Sequence, residues 1–266
     1  MSETSQRQFA VVTGGSNGIG YELAKQFAQN GFDLLLAAEP EGLDRAAQDI
    51  RALGAHVETV GCDLAEHEGV HQLLAKIEAV GRPVDAVAIN AGVGVGGHFR
   101  ETDYNAELNM INLNVVGTVH LAKHMVQDMT ARGQGRILFT ASVASLMPAP
   151  FEAVYGATKA FVFSFSEALR NELKDTGVTV TALLPGPTET NFFHRADMDD
   201  TSVGVSKKDD PADVARDGFN ALMAGKDKVI AGSLKTKVMG LASELVPPTV
   251  SAQVHRGMSE PGSGEK

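Results

Sequence analysis

Cysteine is almost missing from this 266-residue chain, and Cys62 is the only one. A single thiol excludes an internal disulfide and suits a reducing compartment. Positive charge is also scarce. Lys and Arg number 23 against 33 Asp and Glu, for a formal net charge of −10. The basic residues are scattered, so a broad electrostatic footprint for nucleic acid is lacking. No stretch reaches the roughly 18 apolar residues that a membrane span requires, so no integral membrane segment is expected. The start, MSETSQRQFAVV, has no basic region followed by an apolar run, and no signal peptide is expected. Low-complexity blocks are confined to the ends, where residues 1–8 and 259–266 read as flexible tails. The remaining composition, 43% hydrophobic and 21% charged, is that of a globular, cytoplasmic protein of enzyme size.

What is present is an alternation. FAVVTGG is short, β-branched and closed by glycines, as a buried strand is. GYELAKQFAQNG follows with helical spacing of Leu23, Phe27 and Ala28, and Gly31 stops it. DLLLAA, HVETVGCDL, VDAVAINAG, GRILFTAS, VTVTALLPG and KVIAG read as further strands, with helical stretches between them, including a long one over 103–132 and one over about 153–175. Seven strands separated by helices, with no linker and no repeat, predict one α/β domain over 1–266, with a doubly wound parallel sheet covered on both faces. Ligands in such sheets bind beyond the carboxyl ends of the strands.

Two patterns lie at strand ends. TGGSNGIG (13–20) carries Gly14, Gly18 and Gly20 between the first strand and the first helix. Such a turn lets main chain approach a pyrophosphate and offers it helix N-terminal N–H groups, although a plain strand–helix turn also uses glycine. No Gly-Lys-Ser/Thr follows, which excludes a P-loop. VYGATKA (154–160) places Tyr155 and Lys159 at i, i+4, on one helical face. A free tyrosine titrates near 10, and a neighbouring ammonium favours the phenolate, so Tyr155 is a candidate general acid–base whose pKa Lys159 lowers. Ser142 ends the fifth strand, where it can hold the substrate oxygen or simply cap the strand end, with Ser145 as the competitor.

Taken in order, TGGSNGIG, NAG (90–92), Ser142, YGATK (155–159) and PGPTET (185–190) resemble the classical short-chain dehydrogenase/reductase family, over residues of about 8–232. The resemblance implies a Rossmann-type subunit, a nicotinamide cofactor and hydride transfer at a substrate carbon. By resemblance, Tyr155 is the acid–base, Lys159 binds the nicotinamide ribose, Ser142 orients the substrate and Asn114 supports a proton-relay water. The implied cofactor contacts are the turn residues Gly14, Ser16, Asn17, Gly18, Ile19 and Gly20, then Asp63 and Leu64 at the adenine, and Asn90, Ala91 and Gly92 at its ribose. Pro185, Gly186, Thr188 and Thr190 complete them around the nicotinamide carboxamide. Ile89 departs from the family's frequent second asparagine before NAG.

Glu39 follows the second strand, and Glu39 with Glu41 would repel a 2′-phosphate while accepting from a free 2′-hydroxyl, which favours NAD over NADP without excluding it. In the family's NAD-dependent pattern the acid sits one residue earlier, where Ala38 stands. The long irregular stretch 187–210 reads as a substrate lid. Phe192, Phe193, Met198, Val93, Met147, Pro148 and Phe151 are expected to make an apolar lining, either for an uncharged alcohol or ketone or for packing the lid on the core; Arg195 is the one basic residue that could reach it. Residues 233–258 form an amphipathic C-terminal extension that could complete an oligomer interface, cover the substrate or touch a membrane surface. His67/His71 and His120/His124 are helical i, i+4 pairs without an accompanying carboxylate or cysteine motif, so surface histidines and no metal are expected. Phe161, Phe163 and Phe165 face more than one side of their helix, which together with the resemblance implies a homodimer or homotetramer. The competing readings are a redox sensor that binds a dinucleotide without turnover, an NADPH-dependent carbonyl reductase, and an extended epimerase or dehydratase, whose larger C-terminal domain the chain lacks room for.

Overall fold

The computed structural model describes residues 7–243 and 246–265. Seven strands, β1 (Gln8–Thr13), β2 (Phe32–Ala38), β3 (Val57–Gly61), β4 (Ala86–Ile89), β5 (Gly135–Thr140), β6 (Val178–Pro185) and β7 (Lys228–Ala231), form one sheet in the order β3-β2-β1-β4-β5-β6-β7. Every adjacent pair is parallel. The strands read as unbroken apolar runs because both sheet faces are covered. Phe9 and Val11, Leu35 and Ala37, and Ile137 and Phe139 point into the core beneath α3 (His67–Val80), α5 (Thr118–Arg132) and α6 (Ala153–Glu172). Ala10 and Val12, Leu34 and Leu36, and Leu138 point the other way, beneath α1 (Gly18–Gln29), α2 (Leu43–Arg51) and α9 (Pro211–Met223). Strand order reverses between β1 and β4, and that switch point opens a crevice at their carboxyl ends.

Two local features depart from the sequence reading. The helix expected over 103–132 is α4 (Tyr104–Ile111), a π-helical turn (Asn112–Gly117) and then α5, and the π turn carries Asn114. The 187–210 segment is not wholly irregular. It folds as two short helices, α7 (Phe192–Arg195) and α8 (Ser202–Val205), closed at its base by a bridge from Thr188 to Asp209. The extension forms α10 (Leu234–Ser243) and α11 (Pro248–Ser259).

The tails also differ from expectation. Residues 1–6 lie outside the described residues, while Gln8 already belongs to β1. At the other end, Ser259 and Ser263 are buried rather than free. Ser202 N–H donates to Ser263 Oγ at 2.9 Å, Ser202 Oγ–H donates to the Ser263 carbonyl at 2.9 Å, and Gly262 N–H donates to Asp200 at 2.7 Å. The polar composition that suggests a tail supplies the hydrogen bonds that dock it on the 187–210 segment.

Candidate active site

A cleft of about 270 Å³ opens at the switch point, and every expected catalytic or cofactor-contact residue except Asn114 lines it. The glycine turn forms its floor. Gly14 and Gly18 have φ of +66° and +56°, a region that side chains rarely adopt. A Cβ on Gly20 would overlap the Gly14 carbonyl oxygen. No side chain caps α1, so its first N–H groups have no side-chain partner where Asn17, Gly18 and Ile19 meet the cleft. Opposite, Gly92 comes close enough that a Cβ would lie 3.1 Å from both Asn114 Oδ1 and Lys159 Nζ. A dinucleotide fits this set: bare main chain and a helix N-terminus for phosphate, with polar groups spaced along the wall.

Several of the expected contacts have protein partners of their own. Asn90 Nδ2 donates to the Thr13 carbonyl at 3.1 Å, and its Oδ1 accepts from Thr140 Oγ1 at 3.0 Å, so this side chain ties β1 to β5. Thr13 Oγ1 accepts from Asn90 N–H at 2.9 Å and Ala91 N–H at 3.0 Å, a structural role that the sequence reading missed. Asp63 Oδ1 accepts from Ala65 N–H at 2.9 Å and shapes the turn before α3. Thr188 Oγ1 donates to the Gly186 carbonyl at 2.9 Å, and Thr190 reaches over Gly18. Cys62 lines the wall with its thiol pushed up to about 11 by burial, which makes it inert.

Tyr155, Lys159 and Ser142 converge at the inner end. The Lys159 ammonium donates to the Thr140 carbonyl at 2.9 Å and lies 5.9 Å from the Tyr155 ring centre. Burial lowers Lys159 to about 8. Tyr155 behaves differently from the sequence expectation. Burial first, then the nearby Glu152 charge, raise its pKa above the ordinary tyrosine value, and a hydrogen bond with Ser142 opposes them without winning. Desolvation of the phenolate is the largest of these causes, so the group is a protonated phenol at neutral pH. Ser142 Oγ accepts from Ala144 N–H at 3.1 Å and Ser145 Oγ accepts from Ser142 N–H at 3.2 Å. Ser142 therefore does cap the turn after β5, and Ser145 serves that cap.

Asn114 is placed behind the wall. Its Oδ1 accepts from Val93 N–H at 3.1 Å, and its Nδ2 donates to the Val93 carbonyl at 2.9 Å and to Thr158 Oγ1 at 3.0 Å. The π turn aims it there, holding the loop after β4 at Val93 against α6.

The inner end of the cleft is covered by the 187–210 segment. Phe192 packs on Tyr155 with ring centres 5.2 Å apart, over Gly94, where a Cβ would collide with it. Phe192, Phe193, Val93 and Met147 line the cleft; Met198 instead lies buried beneath α7 against Gly96, the packing alternative. Pro148 and Phe151 lie outside the lining, Phe151 being held between His98 and Arg256. Arg195 reaches the cleft 3.5 Å from Glu39.

Three lining residues were not legible in the sequence. Glu152, His255 and Ser259 meet where α11 closes the cleft. Ser259 Oγ–H donates to Glu152 Oε2 at 2.9 Å, and His255 Nε2 lies 3.4 Å from the same oxygen. Burial pushes Glu152 up to about 7, and burial also lowers His255. Both shifts favour the neutral forms, so near pH 7 this contact is closer to a hydrogen bond than to a full ion pair. The extension thus lines the same end of the cleft as Tyr155 and Phe192.

A family model described as short chain dehydrogenase matches residues 8–201. A protein of Sinorhizobium fredii described as an uncharacterised short-chain type dehydrogenase/reductase is 36% identical over 200 residues, which are 74% of this chain and 76% of that relative. Among solved structures, a short-chain dehydrogenase from Sphingobium yanoikuyae in complex with NADPH superposes with a TM-score of 0.78 at 28% identity, over 84% of this chain and 87% of that one. A 3-ketoacyl-(acyl-carrier-protein) reductase from Brucella melitensis complexed with NADH superposes with a TM-score of 0.72 at 25% identity, over 84% of this chain and 96% of that one.

Proposed function

The chain belongs to the short-chain dehydrogenase/reductase family, and from that premise we propose that it interconverts an uncharged, largely apolar secondary alcohol and its ketone, with Tyr155 as the general acid–base. The observation that carries this reading is the convergence of Tyr155, Lys159 and Ser142 in a cleft that also contains the glycine turn and is roofed by Phe192. When bound, the nicotinamide supplies or accepts the hydride. The chain's own residues then have defined tasks. Ser142 orients the substrate oxygen, and the protonated Tyr155 phenol donates to it as the alcohol forms. Lys159 places positive charge beside the phenol, favouring the phenolate that is left. The lid phenylalanines exclude water around the reacting carbon. Glu152, already near its titration point at neutral pH, disfavours an anionic substrate.

NAD is the favoured cofactor, on the Glu39 carboxylate at the end of β2. A second reading rests on Arg195, whose guanidinium 3.5 Å from Glu39 offers a cation for a 2′-phosphate and would make the protein an NADPH-dependent carbonyl reductase. Exposed Leu108, Ile111, Val116 and Phe161 on α4–α6 support a homodimer or homotetramer. We assign the protein to the cytoplasm, since its single cysteine suits a reducing compartment; among the described residues no helix is long and apolar enough to cross a membrane. The sensor alternative has no use for a buried acid–base at the nicotinamide end.

Tyr155→Phe tests the reading. Ketone reduction is expected to fall by about 10²–10⁴-fold while fluorescence titration shows unchanged NADH binding. Unchanged turnover in this variant would remove Tyr155 from the mechanism.

A further inference from the structure

The four histidines that the sequence offers as two separate pairs meet in the fold. His67 and His71 share one face of α3, His120 and His124 share one face of α5, and the two helices are neighbours on the same side of the sheet. The His67 and His120 rings stack with centres 4.6 Å apart, His67 and His71 are 4.4 Å apart, and His71 and His120 are 5.1 Å apart. One ring nitrogen from each of these three lies within 4.8 Å of the other two. His124 is farther out, its ring 5.5 Å from His120.

We propose that His67, His71 and His120 form a transition-metal site that binds one Zn²⁺-like divalent ion between α3 and α5, with its fourth position left to water. Zinc–imidazole bonds of 2.0–2.1 Å in a tetrahedron put ligand nitrogens about 3.3 Å apart. The spacing of up to 4.8 Å closes to that value by side-chain rotation, which is available because His67 and His71 are exposed and His120 only half-buried. A purely imidazole donor set suits Zn²⁺, Ni²⁺ or Cu²⁺ and excludes Mg²⁺ and Ca²⁺, which take oxygen ligands.

The location gives such an ion a structural consequence. A Cβ on Gly69 in α3 would collide with the Asp63 carbonyl, and one on Gly117, just before α5, with the Leu64 carbonyl. The starts of both helices therefore press on the Asp63–Leu64 turn that lines the cleft, and a metal joining them clamps that turn from two sides.

The test uses full-length protein free of any affinity tag, titrated calorimetrically with ZnCl₂. One saturable site per chain is expected, weakened at least tenfold in His120→Gln and in His67→Gln, with His124→Gln close to wild type. Co²⁺ loaded at the same site is expected to show the intense visible bands of a four-coordinate ion, lost in His120→Gln. Circular dichroism verifies that each variant is folded, and having two ligand variants keeps the test decisive if one is not. Absence of saturable Zn²⁺ binding, or equal binding by wild type and both ligand variants, would overturn the proposal and leave the cluster as packed imidazole rings.

Discussion

The two ends of the cleft are held by different means. The dinucleotide end is built from main chain: glycines at 14, 18, 20 and 92 bring backbone so close that an added Cβ meets backbone or a polar side chain. The proposed substrate end is built from side chains brought together from distant parts of the sequence. Ser259 reaches Glu152 across 107 positions, and Ser202 reaches Ser263 across 61. A main-chain site tolerates almost no added volume, while a side-chain site is sensitive to lost hydrogen bonds and to protonation. The first end can therefore serve one ligand shape across a family, and the second can be rebuilt for each substrate.

The largest expected effect comes from adding one methyl to the main-chain end. Gly20→Ala sets a Cβ against the Gly14 carbonyl and within 2.5 Å of Asn90 Nδ2, and overpacking of this kind costs about 1–3 kcal/mol or more. It should abolish NADH binding in a fluorescence titration and lower the melting temperature. Wild-type NADH affinity in that variant would break the contrast.

Glu152→Gln probes the other end through pH. The folded-state pKa of Glu152 is raised to about 7 from its ordinary 4.5, so its protonated form is the one that folding favours. That contribution is complete below about pH 4.5 and is lost as pH rises through 7, amounting to about 3 kcal/mol. Lowered His255 acts oppositely, losing stability on acidification below the imidazole range. Melting temperatures measured from pH 5 to 8 should fall with rising pH in wild type and stay flatter in the variant. Equal slopes would mean that the Glu152 carboxyl is solvated.

Smaller still, Ser259→Ala removes one hydrogen bond, about 1–2 kcal/mol. Because that bond holds the Glu152 pKa down, the alkaline fall in stability should move to higher pH, with NADH affinity unchanged. The smallest effect belongs to Glu39→Ala. Glu39 and Arg195 are half-exposed or more, and such pairs contribute about 0–1 kcal/mol. The ratio of NADH to NADPH affinity should shift towards NADPH by no more than about tenfold; a shift towards NADH would assign Arg195, not Glu39, the reading of the ribose.

This division also explains what could be read from the sequence. The seven strands were visible because residues such as Val11, Val12, Leu34 and Leu35 are apolar at consecutive positions, which only a doubly covered sheet requires. The glycine turn, Tyr155 and Lys159 were visible because each pattern is contiguous. The π turn at Asn112–Gly117 was not, since its residues have no composition that separates an i→i+5 turn from α-helix. Glu152 reads as an ordinary loop acid until α11 buries it. Tyr155 reads as a lysine-tuned phenol until burial is known, and burial is a tertiary quantity. The histidine pairs were visible singly, but their meeting depends on how α3 and α5 pack side by side.

The most direct test of the account is to follow the hydride itself. A panel of apolar ketones would be incubated with wild-type protein and NADH deuterated at the transferring C4 position of the nicotinamide, and the products analysed by mass spectrometry and NMR. The account predicts an alcohol carrying one deuterium on the carbinol carbon, formed about 10²–10⁴-fold more slowly with Tyr155→Phe. Tight dinucleotide binding with no deuterium in any product, from this cofactor or its phosphorylated counterpart, would contradict it and favour a binding protein without turnover.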